Sequence, residues 1–369
     1  MELDLCAPCL FGLEGPLKNE IAHLGCKNVR AENGRVRFRG TEADAARVNL
    51  RSRFGERVLI ELARGQAASF EELFRLAETA PWEAFIPQNG VFPVKGYALN
   101  SALHSVPDCQ KIVKKAVSRR LGKRYGLTWL PEDGALYQIQ FAILNDEAAL
   151  YLDTTGTGLH KRGYRPAQVA APLRETLAAA MVDIAGYRGK GDFCDPFCGS
   201  GTIAIEAALA AKRRAPGLKR QFAAERWPAF PAAVWRDARE EAVLAEFSGT
   251  YHIFASDVDP KAVAIAKANA ARAGVDDIIR FAVADACAFD RRTERGVIVT
   301  NPPYGERLLD RPQAAALMRR FGEAVRPLAG WSQYILSADE EFERAYGRRA
   351  DKVRKLYNGM IKCGLYIYK

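Results

Sequence analysis

The chain has 369 residues, 49% hydrophobic and 27% charged, with a formal net charge of +10, which is enough for two or three domains with real cores. No run of about eighteen apolar residues occurs and the N-terminus MELDLCAPCL is acidic, a pattern that supports neither a membrane span nor a signal peptide, so a cytoplasmic location is expected. Eight cysteines are too few for a disulfide scaffold, whereas the basic surplus favours a polyanionic partner, most commonly a nucleic acid.

Residues 1–60 alternate strand-like runs (Leu3 to Cys6, Arg35 to Phe38, Val58 to Leu62) with helical ones (Pro16 to Leu24, Glu42 to Leu50). This is the βαββαβ-like order of a small ferredoxin-like unit. Cys6 and Cys9 have redox-like spacing, but no second cysteine pair completes a zinc site, so a structural role is expected. From 61 to 153 an α+β region follows, with a helix over Phe70 to Glu78, a strand over Phe92 to Leu99, a basic helix, and the alternating runs LYQIQFAILN and EAALYLD. In the basic helix, QKIVKKAVSRRLGKRYG, the cations Lys111, Lys114, Lys115 and Arg119 stand opposite a stripe of Ile112, Val113, Ala116, Val117 and Leu121. One face therefore packs and the other is cationic. Residues 154–165, TTGTGLHKRGYR, read as a linker rich in Gly, Thr and charge. Their KRGYR, with Lys161, Arg162 and Arg165, and the later KRRAPGLKR at 212–220 are further basic clusters that favour RNA or DNA.

From residue 166 to 369 the pattern becomes βαβ. A helix (Leu173 to Ile184), a strand ending in Asp195, a helix (Thr202 to Ala211), the strand YHIFASD and a helix (Pro260 to Ala273) come first. The strands IIRFAVAD and VIVTN, a helix (Gln313 to Pro327) and the strand QYILSA follow. This predicts a doubly wound, mostly parallel α/β sheet. The end, DKVRKLYNGMIKCGLYIYK, places two alternating strands around Asn358-Gly359, so an antiparallel hairpin is expected to close the sheet.

Ligands of such sheets sit beyond the carboxyl ends of the strands, where Asp195, Asp257, Asp285 and Asn301 should converge. In DPFCGSGT (195–202), Gly199 and Gly201 permit a tight turn and a close ligand approach, and the next helix points its positive end there. A side chain at 201 is expected to fill that approach while sparing the fold. The Gly-x-Gly-x-x-Ala spacing also occurs in dinucleotide sites, but the acid expected about 20 positions on is missing. Asp195 could instead accept from a ligand ammonium. Asp257 suits a pair of ribose hydroxyls, and Asp285 an exocyclic amine. No Gly-Lys-Ser/Thr follows for a P-loop, and no Gly-x-Ser-x-Gly for a hydrolase.

Together DPFCGSGT, the Asp257 strand, Asp285 and NPPYGERL resemble the motifs of class I S-adenosylmethionine-dependent methyltransferases of the amino-methylating branch. With LHKRGYR and the ferredoxin-like and THUMP-like first half, the chain is similar to THUMP-containing RNA guanine-N2 methyltransferases, in particular the bacterial 23S rRNA enzymes in their single-methyltransferase form. The resemblance spans nearly the whole chain and is strongest over 159–369. It implies a Rossmann-like catalytic domain and S-adenosylmethionine held by Asp195, Phe197, Gly199, Gly201, Asp257, Asp285 and Asn301. The product would be S-adenosylhomocysteine, with no metal involved. It implies catalysis by Asn301, Pro302 and Tyr304, and RNA contacts from Lys111, Lys114, Lys115, Arg119, Lys161, Arg162 and Arg165. Asn301 and the Pro302 carbonyl would accept the two N–H bonds of a base amine, aiming its lone pair at the methyl, while Tyr304 stacks on the base. No obligate protein partner is expected. The chain ends at Lys369, so the second modification of larger fused relatives is not expected of it. A tRNA guanine, an adenine-N6 amine of RNA or DNA, or a non-catalytic RNA-assembly role are the competing readings.

Overall fold

The structure, a computed structural model, describes residues 1–166, 173–290, 293–303 and 311–369. Two compact units divide it. One holds residues 1–9, 18–159 and 221–241, and the other 10–17, 160–220 and 242–369.

The amino-terminal part runs β1 (Leu3–Pro8), α1 (Glu14–His23), β2 (Lys27–Glu32), β3 (Arg35–Gly40), α2 (Glu42–Arg51) and β4 (Leu59–Gln66). It continues through α3 (Phe70–Thr79), β5 (Val94–Leu99), α4 (Val106–Tyr125), β6 (Ile139–Leu144) and β7 (Glu147–Asp153). Its strands make one seven-stranded sheet in the order β2-β3-β1-β4-β7-β6-β5. The boundary expected at residue 60 falls inside β4, which pairs with β1 through Leu59 and Ile60 and with β7 along its whole length. α2 and α3 start on capping boxes, Thr41 with Asp44 and Ser69 with Glu72, which satisfy otherwise orphaned amides. Cys6 is fully buried in β1, and burial pushes its thiol up to about 12, so no thiolate forms near neutrality. Residues 221–241 belong to this unit although they follow α6 in the chain. Trp227 stacks on Tyr137 at 4.8 Å and donates its indole N–H to Leu136 O at 2.8 Å.

The rest of the chain runs α5 (Glu175–Ile184), β8 (Asp192–Asp195), α6 (Thr202–Ala211), α7 (Ala232–Leu244), β9 (His252–Asp257), α8 (Pro260–Ala273) and β10 (Ile279–Val283). Then come β11 (Gly296–Thr300), α9 (Arg311–Val325), β12 (Trp331–Ser337), α10 (Phe342–Tyr346), β13 (Lys352–Asn358) and β14 (Ile361–Tyr368). The sheet order is β10-β9-β8-β11-β12-β14-β13, parallel through β12 and antiparallel at β14 and β13. The α/β class and the closing hairpin match the expectation, but the two-residue loop is Gly359-Met360, because Asn358 already pairs with Ile361. Every residue of α6 is buried, so it is apolar nearly all round, Thr202 and Glu206 being its only polar side chains. Under the other part of the sheet, Ile298, Phe321, Val325, Ile335, Phe342 and Tyr346 form a core that fixes the carboxyl ends of β8 and β11.

Candidate active site

The sheet order reverses between β8 and β11, the two strands that bracket the crevice where such folds bind ligands. Asp195 ends β8 and is buried. Its Oδ1 accepts from the Thr300 hydroxyl at 2.7 Å, whereas Oδ2 is buried with no partner among the described residues. Burial pushes this carboxyl up to about 7 against the lowering effect of the Thr300 and Phe197 hydrogen bonds, with the Asp257 charge adding to the rise.

The glycine turn after β8 is fastened on two sides. Gly199 N–H donates to Asp257 Oδ2 at 2.9 Å and Cys198 N–H to Ser256 O at 2.9 Å. The buried Asn269 of α8 donates to Ser200 O at 3.0 Å. Gly201 caps α6 at φ +83°, and a Cβ there would stand 3.0 Å from the Ala266 Cβ. This corrects the expectation that its missing side chain only leaves room for a ligand. It lets α8 approach the turn in a left-handed conformation that costs other residues about 1–2 kcal/mol. Gly201→Ala is therefore expected to lower the melting temperature of the ligand-free protein by several degrees, read by thermal unfolding. An unchanged melting temperature would return the residue to a purely ligand-facing role.

Asp257 Oδ1 accepts from Asp259 N–H at 3.0 Å, so both its oxygens are oriented by backbone and each keeps a lone pair. Asp285 is exposed. It caps the short turn 286–288 through Cys287 N–H at 2.9 Å and meets Arg320 at 3.3 Å. Beside these acids stand two residues the sequence reading missed, Val258 (72% exposed) and Val283 (56% exposed). A valine within two positions of each strand-end acid is the signal available in the sequence. Phe197 is half-buried and packs edge-on against Phe321 at 5.1 Å.

At the end of β11, Asn301 is half-buried with its Oδ1 buried and without a partner among the described residues, and Pro302 is buried. Tyr304 lies outside the described residues. A buried amide oxygen left unpaired carries a desolvation cost, and neither this oxygen nor Asp195 Oδ2 meets a donor among the described residues.

The profile of the family described as "RMKL-like, methyltransferase domain" matches residues 162–367, over half the chain. The chain belongs to the RMKL-like methyltransferase family. An RlmL ferredoxin-like domain also matches residues 4–59 and a THUMP domain residues 67–153. YpsC of Bacillus subtilis (strain 168), provisionally named an RNA methyltransferase, is 44% identical over 99% of this chain and 95% of its own length. A protein of Psychromonas ingrahamii named ribosomal RNA large subunit methyltransferase K/L is 33% identical over all of this chain, which spans 50% of that relative's length. Among solved structures, SMU.472, provisionally named a methyltransferase and solved with S-adenosylhomocysteine, is 38% identical with a TM-score of 0.94 over 100% and 98% of the two chains. A Listeria monocytogenes protein described as an N6-adenine-specific DNA methylase by prediction is 43% identical, with a TM-score of 0.95 over 100% and 96%.

The RMKL-like chain is thus an S-adenosylmethionine-dependent methyltransferase, and its site fits that cofactor on its own terms. The Asp195 oxygen without a partner among the described residues would suit a cationic donor such as the cofactor's ammonium. Asp257 and Asp285 carry carboxylate acceptors that would suit hydroxyl and amine groups, and Val258 and Val283 are exposed apolar neighbours of these strand ends. No helix among the described residues is long and apolar enough to cross a membrane.

The expected RNA contacts divide. Lys111 and Lys115 are exposed, and Arg119 is exposed while meeting Glu78 at 3.0 Å. Lys114 is held instead by Glu132 at 2.6 Å and lies over the Phe92 ring at 3.5 Å. Arg162 and Arg165 are corrected outright. Arg162 is buried against Glu206 at 3.5 Å, and Arg165 meets Glu175 at 3.2 Å while donating to the Thr202 hydroxyl at 2.8 Å. Buried carboxylates of α5 and α6 require these guanidinium groups, so of the three only Lys161 faces solvent.

Proposed function

We propose that the protein methylates the exocyclic N2 amine of a guanine in RNA, with 23S rRNA as substrate, in the cytoplasm. The observation that carries the chemistry is the buried Oδ1 of Asn301, which has no partner among the described residues and is followed by two prolines that stiffen the strand end. When bound, the cofactor supplies an electrophilic methyl group. The chain's own part is to accept both N–H bonds of the amine, through Asn301 Oδ1 and the Pro302 carbonyl. This orients a lone pair that is otherwise delocalised into the base. No strong general base is required, because the amine becomes acidic as it is methylated. Tyr304 is assigned by sequence alone to stack on a base drawn out of its helix. The THUMP match and the names of the RNA-modifying relatives support an RNA substrate. The guanine and the 23S target rest on the resemblance. The working division is a ferredoxin-like domain over 1–60, an RNA-binding domain over 61–153, a connecting segment over 154–165 and catalysis over 166–369, with 221–241 packed into the first unit rather than the catalytic one.

The deciding measurement is nucleoside mass spectrometry of 23S rRNA and tRNA after reaction with purified protein and labelled cofactor. N2-methylguanosine in 23S rRNA is expected. The same nucleoside in tRNA alone would overturn the substrate, N6-methyladenosine would overturn the base, and unlabelled RNA would overturn the reading.

A second expectation concerns α4. Replacing Lys111, Lys115 and Arg119 together with alanine should lower the salt slope of RNA binding by roughly two to three units, at about 0.7 to 0.9 per lost phosphate contact. Turnover at saturating RNA should hold. Lys114 is left in place because its pairing with Glu132 is part of the fold. An unchanged slope would mean that this helix faces solvent only.

A further inference from the structure

Away from the strand ends, a cavity of about 60 Å³ is bordered by the last turn of α6, the loop after it and the end of α8. A single water needs about 10–15 Å³, so the space suits four or five, comparable to the four oxygens of one tetrahedral oxyanion. Its lining includes Arg162, Arg214, Lys219 and Arg272 and no carboxylate. Two of these cations are already matched, Arg162 by Glu206 at 3.5 Å and Arg214 by Glu246 at 3.0 Å. The other two enter no ion pair among the described residues. Lys219 Nζ donates to the Arg272 carbonyl at 2.7 Å, and the Arg272 guanidinium reaches Asn269 Oδ1 at 3.4 Å.

Helix ends alone do not account for this charge. The carboxyl termini of α6 and α8 present about half a negative charge each, which offsets one cation and leaves one unmet. The cationic heads also converge. A Cβ at Gly274 would lie 3.4 Å from Arg214 Nη2 and 3.5 Å from Lys219 Nζ. The pocket is distinct from the catalytic crevice, because α6 carries the chain from Gly201 back across the sheet over ten residues, about 15 Å.

We infer that this pocket binds a single phosphate group, and that in the working enzyme the phosphate belongs to the RNA backbone, outside the reacting nucleotide. This rests on the RNA reading above and gives it a contact on the methyltransferase unit itself, one that positions RNA and does not read its sequence. The basic run 212–220 thereby gains a role beyond general charge.

Arg272→Glu tests it, since Arg272 is exposed and lies outside the catalytic and cofactor residues. The double variant Lys219→Ala with Arg272→Ala serves as a second probe should the first misfold. Inorganic phosphate, titrated calorimetrically at low salt, should bind the wild type and bind the variant at least about tenfold more weakly. The salt slope for RNA should fall by about 0.7 to 0.9, one phosphate contact, with cofactor affinity and turnover at saturating RNA unchanged. Loss of phosphate binding with an unchanged RNA slope would overturn the RNA assignment and leave a free-phosphate site. No change in either would overturn the pocket. If the wild type binds no RNA, the RNA reading fails, while the phosphate titration still decides the pocket.

Discussion

Replacing Asn301 with alanine is expected to cut methyl-transfer turnover about 100-fold or more while leaving cofactor affinity within a few-fold. One preorganised hydrogen-bond partner aimed at a transition state is worth about that much when removed. The amide oxygen is preorganised in a specific sense. It sits beyond Thr300, whose hydroxyl is bonded to Asp195 at 2.7 Å, and before a buried Pro302. Its desolvation is met on folding, before any base arrives, so an amine that docks there gains two acceptors without reorganising them. Truncation removes one acceptor and leaves the Thr300–Asp195 contact intact, which is why binding and chemistry should separate. Calorimetry for the cofactor and single-turnover rates with RNA read the two effects. Equal loss of both, or of neither, would contradict the role given to Asn301.

The centre of the methyltransferase sheet was legible because β8, β11 and β12 are buried almost throughout. GVIVT is a continuous apolar run that ends in a polar residue, and such a change of character marks a strand end in a parallel sheet. The helix over Pro260–Ala273 begins on a proline and ends at Gly274, and the helix over Thr202–Ala211 begins just after Gly201. In contrast, β2 was missed. KNVRAE is an edge strand with mostly exposed side chains, so no alternation betrays it. The placement of 221–241 was also out of reach, because Trp227 finds Tyr137 and the Leu136 carbonyl about ninety residues earlier in the chain, and no local periodicity encodes such a contact. The KRGYR residues misled for a related reason. A cationic run looks solvated until its carboxylates are known, and Glu175 and Glu206 lie inside helices whose other faces are apolar.

Cofactor binding should depend on pH through Asp195. Free, this carboxyl is pushed up to about 7 by burial, and an ammonium partner requires it ionised. Below pH 7 the proton must first leave, so cofactor affinity is expected to fall about tenfold for each further pH unit, and to level off above about pH 8. At pH 7 the free site is half protonated, so binding should release roughly half a proton, visible as a buffer-dependent heat. Stability without cofactor runs in the opposite direction. A carboxyl raised from 3.8 to about 7 in the folded state lets the native protein hold more protons than the unfolded chain between those values. The stability it contributes is complete below pH 4 and is lost as pH rises through 7. Asp195→Asn keeps the acceptor for Thr300 and removes the buried charge. The variant should therefore melt higher than wild type at pH 8 without cofactor, and bind cofactor about 100-fold or more weakly, the scale of a lost buried charge pair. A dissociation constant that stays flat between pH 6 and 8 would show that Asp195 does not meet the ammonium. A variant that melts lower at pH 8 would show that the ionised carboxylate is instead stabilised by a partner within the chain.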